Sequence, residues 1–304
     1  MKFLEKTFDH QNQWWKYLVV IVVGFFVGQF IGYIPIMGIM VDKMITGGVT
    51  PNDLADLAAL GISKNEGLLL ILLPFAVSLI FTVLLIKALH KRTFAETING
   101  TNKIRFGRIG AGIVVWATIM AVLFVSDYLI NPDNYVLQFD IAKFIPLLFI
   151  SIFLIPVQTT YEEVLVRGYL AQGIAVWTRN RILVILIPAS LFALLHSSNP
   201  EVEEFGFWAA MPQYLISGLL FGIIAVLDDG IELAIGMHTA NNVLGSLLVT
   251  FKSSALQTDA VLEQLNINPM EDTLALLAAG VIAVIYYTYR YKWKFNVLNR
   301  KIEP

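Results

Sequence analysis

Long, nearly uninterrupted apolar runs fill most of this 304-residue chain. A helix needs about 20 predominantly apolar residues to cross a hydrocarbon core. Lipid offers no partners for backbone N–H and C=O groups, and strand-length alternating segments are absent, so the runs should be helices. We therefore predict an all-α membrane protein, a bundle of about eight transmembrane helices. The predicted spans are Tyr17–Met40, Leu68–Leu89, Ile109–Leu129, Ala142–Thr160, Ile182–Ser197, Phe207–Leu227, Ile231–Phe251 and Leu274–Tyr291.

The composition excludes several classes of protein. Only 14% of the residues are charged and 57% are apolar, whereas an ordinary soluble domain carries about 25% charged residues. A net charge of −2 gives no basic surface for nucleic acid. The chain has no cysteine, which excludes disulfides, a thiol nucleophile and a cysteine-based zinc site. The apolar run that ends at Met40 is too long for a signal peptide, so we expect a retained first span.

Lysine and arginine predict the orientation of the bundle. With the N-terminus inside, the inner segments hold 17 of these residues and the outer loops hold 4, namely Lys43, Lys64, Lys143 and Lys252. Cytoplasmic loops carry such an excess of positive charge. We therefore predict a multi-pass membrane protein with both termini in the cytoplasm.

Two of the predicted outer loops contain candidate short helices. Pro51–Gly61 has an apolar stripe, and Thr258–Leu265 begins with a capping threonine and places apolar residues on one face. Each segment could cap the bundle or lie along the membrane surface.

Two carboxylates and a guanidinium follow the apolar run Phe144–Thr160, where charge is costly. Each charge at membrane depth costs roughly 3 kcal/mol on insertion scales and is tolerated mainly in pairs or in functional cavities. Glu163 and Arg167 are four residues apart, so they share a helical face and can pair. Glu162 points about 100° away, which makes it a candidate general base.

Two of the four histidines also lie in apolar segments. His196 is four residues after Phe192, and His238 is four residues before Asn242, so each pair should share a helical face. Histidine can act as a base, a donor or a metal ligand, and the asparagine amide can donate to a developing oxyanion. The joint occurrence of these groups in separate apolar segments favours a functional site over packing.

These residues form three motifs, EEVLVR at Glu162–Arg167, FALLH at Phe192–His196 and HTANN at 238–242. In this order they resemble the CPBP family of CAAX proteases and bacteriocin-processing membrane proteins, also called Abi proteins. The resemblance covers residues 140–250 and implies an eight-helix bundle around a polar catalytic cavity. It divides the chain into N-terminal helices at 1–135, a catalytic core at 136–252, and an outer loop, last helix and basic tail at 253–304. It also implies a bacterial plasma (inner) membrane.

Carried onto this chain, the resemblance implies that Glu162 and His196 activate a water. It implies that His238 and Asn242 stabilise the tetrahedral oxyanion, while Glu163 and Arg167 position the helix and the substrate. The residues themselves agree with hydrolysis by water, because Ser197 and Ser198 are adjacent to His196 and cannot face it on a helix.

Metal dependence stays open at this point. Glu162, His196 and His238 could supply two histidines and a carboxylate with an open position, the pattern of catalytic zinc. If His238 joins Asn242 in an oxyanion hole, it is not free to bind a metal. The family is often labelled as metalloprotease, which favours zinc without deciding between the two.

Three functions remain as hypotheses. The first is an intramembrane endopeptidase that acts in the lipid bilayer on membrane-associated or lipidated peptide or protein substrates. The second is a non-catalytic scaffold or bacteriocin-immunity protein that binds a membrane protein partner through its outer loops. The third is a transporter built on buried Glu and His groups, which an inverted repeat would favour; the sequence shows no such repeat.

Overall fold

The computed structural model of the chain describes residues 2–47, 49–50 and 57–304. Within these ranges we number ten helices in chain order: α1 (Trp14–Ile45), α2 (Lys64–His90), α3 (Phe94–Asn99), α4 (Phe106–Ile130), α5 (Ile141–Thr178), α6 (Arg181–Leu195), α7 (Pro200–Phe205), α8 (Phe207–Leu227), α9 (Glu232–Leu248) and α10 (Pro269–Tyr291). Short 3₁₀ turns occupy Glu5–Asp9, Pro132–Asn134 and Phe295–Asn299.

Helices occupy all eight predicted span positions, and the protein is an all-α membrane bundle. Six of the described helices are long and apolar enough to cross a membrane, namely α1, α2, α4, α5, α8 and α10. The predicted fifth and seventh spans are shorter, at 15 residues in α6 and 17 in α9. The predicted fourth span ends too early, because α5 continues from Thr160 to Thr178 as one helix.

Local sequence signals set the helix starts. Ser63 and Glu66 form a capping box at the start of α2, which satisfies two backbone N–H groups that lack partners within the helix. The side chains of Asp140 and Asn180 cap α5 and α6. Prolines lie inside five of the long or apolar helices, which membrane helices tolerate because neighbouring groups satisfy the freed carbonyls.

The α4 and α9 helices cross with their backbones almost in contact. A Cβ atom added at Gly236 would lie 2.2 Å from the carbonyl oxygen of Ile109, and one at Gly112 would lie 2.5 Å from that of Leu233. Small residues allow such close approach between membrane helices. This crossing seats α9 in the middle of the bundle, where residues 231–240 are all buried.

Polar contacts gather five segments at one end of the bundle, which we call the basic end: residues 2–12, 91–105, 178–181, 228–231 and 292–304. The carboxylate of Asp229 accepts hydrogen bonds from the backbone N–H groups of Lys2 and Phe3. Arg105 pairs with Asp228 at 3.2 Å and with Glu232. These are segments that the sequence placed together on the inner side.

A small sheet marks the opposite end, which we call the sheet end. Its strands are β1 (Tyr135–Leu137), β2 (Val249–Thr250) and β3 (Leu262–Gln264), in the order β1-β3-β2. β3 runs antiparallel to β1 and parallel to β2. The segments that the sequence placed outside meet here, as in the 3.0 Å hydrogen bond from the backbone of Ala255 to Glu201.

The sheet corrects two predictions. Thr258–Leu265 is not a helix, because Leu262–Gln264 pairs with β1 and β2, which supply the backbone hydrogen bonds that a helix would otherwise make. The seventh span does not reach Phe251, because Val249 and Thr250 already belong to β2. The predicted helix at Pro51–Gly61 lies mostly outside the described residues, and residues 57–61 form a turn.

Candidate active site

The bundle brings the predicted site residues together from three helices. Glu162, Glu163 and Arg167 lie on α5, His196 follows the last residue of α6, and His238 and Asn242 lie on α9. The phenyl ring of Phe192 lies between the two histidines, with its centroid 4.4 Å from that of His196 and 6.1 Å from that of His238.

His238 lies between the two adjacent carboxylates. Its Nδ1 is 2.9 Å from Oε1 of Glu163, and its Nε2 is 3.6 Å from Oε2 of Glu162. The first distance is a hydrogen bond, whereas the second is too long for one. Glu163 therefore orients the imidazole ring, and Glu162 faces the other ring nitrogen across a gap.

Glu163 also pairs with Arg167, as the four-residue spacing predicts. The guanidinium Nη1 is 2.8 Å from Oε1 of Glu163, and both side chains are at most 2% exposed. The guanidinium carbon lies 4.1 Å from the ring centroid of Phe192 and 5.5 Å from that of Phe221. This buried ion pair therefore packs behind His238 and supports the position of its ring.

The backbone of α5 widens into a π-helical segment, Val164–Leu170, directly after the paired glutamates. Such segments are rare and often occur at functional sites. The segment contains Arg167, which pairs with Glu163 at the end of the preceding α-helical turn. The pairing and the irregular backbone thus belong to one local structure.

Hydrogen bonds fix the tautomers of both histidines. A carbonyl oxygen only accepts, so the 2.7 Å contact between Nδ1 of His196 and the backbone oxygen of Phe192 places a proton on Nδ1. The carboxylate of Glu163 places one on Nδ1 of His238 in the same way. Each ring therefore presents Nε2 for chemistry.

Gln158 is a site residue that the motifs did not reveal. Its amide nitrogen donates to Oε1 of Glu162 at 2.8 Å, and its amide oxygen accepts from Asn242 at 3.3 Å. It joins two predicted site residues from different helices. One signal was present in the sequence: Gln158 is a polar residue in an apolar run, four positions before Glu162.

The site opens into a cavity of about 580 Å³. Glu162, His196, His238 and Asn242 all line it. The second oxygen of Glu162, Oε2, is buried and has no hydrogen-bond partner among the described residues. A buried carboxylate oxygen without a partner is costly, and in a polar cavity a water molecule can satisfy it.

The predicted metal set does not converge. No group of three or more His, Asp or Glu side chains within the described ranges is placed to hold a metal ion. Nδ1 of His238 is bound to Glu163 and that of His196 to a backbone carbonyl. Both Nε2 atoms stay free of these bonds, so it is the separation of the donors, and not their hydrogen bonding, that argues against zinc in this arrangement.

A comparison with protein families identifies this part of the chain. The model for the type II CAAX prenyl endopeptidase, Rce1-like, matches residues 141–244. Residues 141–244 are therefore similar to an Rce1-like domain. The match confirms the resemblance predicted from the three motifs, and it supports a protease role in a membrane.

The chain also has a bacterial relative. The chain is 33% identical over 172 residues to the uncharacterized protein YyaK of Bacillus subtilis (strain 168), an alignment that covers 56% of this chain. The chain spans 57% of the length of that relative. No solved structure matches the chain significantly.

Proposed function

We propose that this protein is an intramembrane endopeptidase that cleaves membrane-associated or lipidated peptide precursors with a water activated by Glu162. The supporting observation is Oε2 of Glu162, which is buried at the cavity without a protein partner and lies 3.6 Å from Nε2 of His238. A water at this oxygen is held by a base and faces the cavity, as general-base hydrolysis requires.

The reaction follows from the positions of the protons. Glu162 takes a proton as the water oxygen bonds to the scissile carbonyl carbon, which becomes tetrahedral. The proton then passes to the amide nitrogen, the C–N bond breaks, and a carboxylate and an amine leave. In this scheme Gln158 holds the other oxygen of Glu162 in place.

The histidines have distinct tasks in this proposal. The Glu163 carboxylate holds the His238 ring through Nδ1 and so directs Nε2 to the cavity. When Nε2 carries a proton, His238 and the side-chain amide of Asn242 can donate to the oxyanion. His196 presents an unprotonated Nε2 and assists Glu162 in activating the water.

Zinc remains the alternative mechanism. No step here runs through a metal, because no three of the described His, Asp and Glu side chains are gathered to hold one. Zinc content and the effect of a chelator on purified protein decide between the two.

A non-catalytic scaffold is the competing function. Its support was two amphipathic loop helices. One of them lies mostly outside the described residues, and the other contains β3. The polar cavity favours the enzyme.

The experiment compares wild type with Glu162→Gln in a bacterial host without its own copy. Peptide termini in membranes and medium are measured by mass spectrometry at matched protein levels. The proposal expects termini that appear only with wild type. Identical termini, together with a phenotype retained in Glu162→Gln, would support the scaffold.

A further inference from the structure

The cavity extends toward only one end of the bundle. From the site it continues along residues of the sheet end, including Glu201, Phe251, Ala255, Ile267 and Asp272. These residues lie in the loops and helix starts around β2, β3 and the start of α10. The wide part of the cavity is therefore surrounded by sheet-end loops.

The basic end is closed. None of the described residues of the five basic-end segments lines the cavity. The deepest lining residues, Phe221 and His238, lie six positions from the basic-end termini of α8 and α9, which is about 9 Å of helix. Nearer the basic end, the buried carboxylates of Asp228 and Glu232 pair with Arg105, which is partly exposed.

The charged residue types that line the cavity are all acidic, and two histidines accompany them. Glu162, Glu201 and Asp272 line it, and no Lys or Arg is found among its described lining residues. One oxygen of Glu201 accepts from the backbone of Ala255, and the other is buried without a partner in the described part of the chain. Arg167 does not line the cavity, because it pairs with Glu163 and packs against the phenyl ring of Phe192.

The acidic lining of the cavity and the end at which it opens together indicate the kind of substrate it can take. A cavity lined by one sign of charge concentrates ligands of the opposite sign. A free peptide C-terminus would bring a carboxylate into a site that has no described Lys or Arg, whereas a lysine or arginine side chain would find a partner. The basic end, by its excess of Lys and Arg, corresponds to the cytoplasmic side.

We propose that the cavity takes its peptide from the extracytoplasmic side and selects segments that carry positive charge near the scissile bond. This inference rests on the proposed function, because it names the substrate of the same site. It concerns interior bonds of secreted or membrane-anchored cationic peptides.

The absence of native cysteine allows a direct test of the direction. Gly245 lines the cavity and has no atom within 4 Å of an added Cβ, so Gly245→Cys is tolerated. Lys103→Cys marks an exposed loop of the basic end. Intact cells are treated with the membrane-impermeant cation trimethylammonium-ethyl methanethiosulfonate, before and after permeabilisation.

The expected result is modification of Gly245→Cys in intact cells and of Lys103→Cys only after permeabilisation. The reverse pattern would overturn the inference. Failure of Gly245→Cys to react in either state would also overturn it, because the cavity would be closed to water.

The preference of the cavity for cations is tested with two reagents of opposite charge. The rate of modification by trimethylammonium-ethyl methanethiosulfonate is compared with the rate for the anion sulfonatoethyl methanethiosulfonate. Thr46→Cys, at an exposed position of the sheet end, is the reference. We expect the cation-to-anion ratio at Gly245→Cys to exceed the reference ratio by about tenfold. Glu201→Gln with Asp272→Asn should return it toward the reference. Equal ratios would refute cationic selection.

These measurements need a folded protein but no turnover. Modification from outside without wild-type-specific peptide termini would count against the protease alone. Wild-type-specific termini with modification only from inside would count against this inference alone.

Discussion

Removing the charge of Glu163 tests how the buried pair supports the site. In Glu163→Gln the Arg167 guanidinium keeps its charge at 2% exposure but loses its carboxylate partner. Breaking a buried pair by removing one partner costs about 3–5 kcal/mol. Each kcal/mol lowers Tm by about 2–4 °C in a chain of this size, so we expect a loss of about 6–20 °C.

The matched control is the double variant Glu163→Gln/Arg167→Met. It removes both charges and keeps an oxygen at position 163 that can accept from His238. Replacing a whole buried pair is often neutral, so the double variant should melt within about 4 °C of wild type. Its peptide cleavage should still fall about 10²–10⁴-fold, because an amide oxygen holds the Nδ1–H of His238 less strongly than a carboxylate does.

Thermal unfolding of purified protein in mild detergent, followed by tryptophan fluorescence, measures the Tm values, and cleavage of an identified substrate measures activity. A Tm of Glu163→Gln equal to that of wild type would refute the argument that the buried pair with Arg167 stabilises the fold. A double variant with full activity would refute the role of the Glu163 carboxylate in orienting His238.

Three further predictions concern the surrounding structure. Gln158→Leu should lower kcat about 10–100-fold with little change in KM, since Glu162 loses its hydrogen-bond donor. The control Gln213→Leu, also at the cavity, should change neither kcat nor KM. Equal effects of the two variants would contradict the role of Gln158 in holding Glu162. Gly236→Ala should lower the yield and Tm of folded protein, because its Cβ meets a backbone carbonyl at 2.2 Å, whereas Gly110→Ala, with open space, should not. Cleavage should survive prolonged dialysis against a zinc chelator; loss that zinc alone restores would establish the metal mechanism.

The sequence predicted the local parts of the site. The contact between Glu163 and Arg167 follows from a four-residue spacing on one helix. The positions of the spans follow from hydropathy, and the grouping of loops at two ends follows from Lys and Arg. These features depend on neighbours in the chain or on overall composition, which the sequence displays directly.

The contacts between helices could not be predicted in the same way. His238 meets Glu163 across 75 residues, and that register depends on how α5 packs on α9, as in the 2.7 Å contact between the hydroxyls of Thr159 and Thr239. The sequence therefore left His238 free to partner Asn242, whereas the structure gives its Nδ1 to Glu163. The link from Asn242 to Glu162 through Gln158 was missed for the same reason.

The sheet shows how tertiary pairing overrides a local pattern. Val261 and Leu262 fit the apolar face of a helix, yet β3 takes its partners from β1, where Tyr135 pairs with Gln264. Strands of two or three residues are too short to show an alternating pattern. Strand propensity depends on such neighbours, which the local sequence does not contain.

The central claim is that Glu162 activates water for peptide hydrolysis in this cavity. Its most direct test is cleavage of an identified peptide by purified wild type and Glu162→Gln in lipid nanodiscs, with Tm measured on the same samples. The proposed mechanism predicts a loss of at least about 10²-fold with Tm within a few degrees, because Glu162 makes one side-chain hydrogen bond among the described contacts. Cleavage by Glu162→Gln within tenfold of wild type, at equal stability, would contradict it.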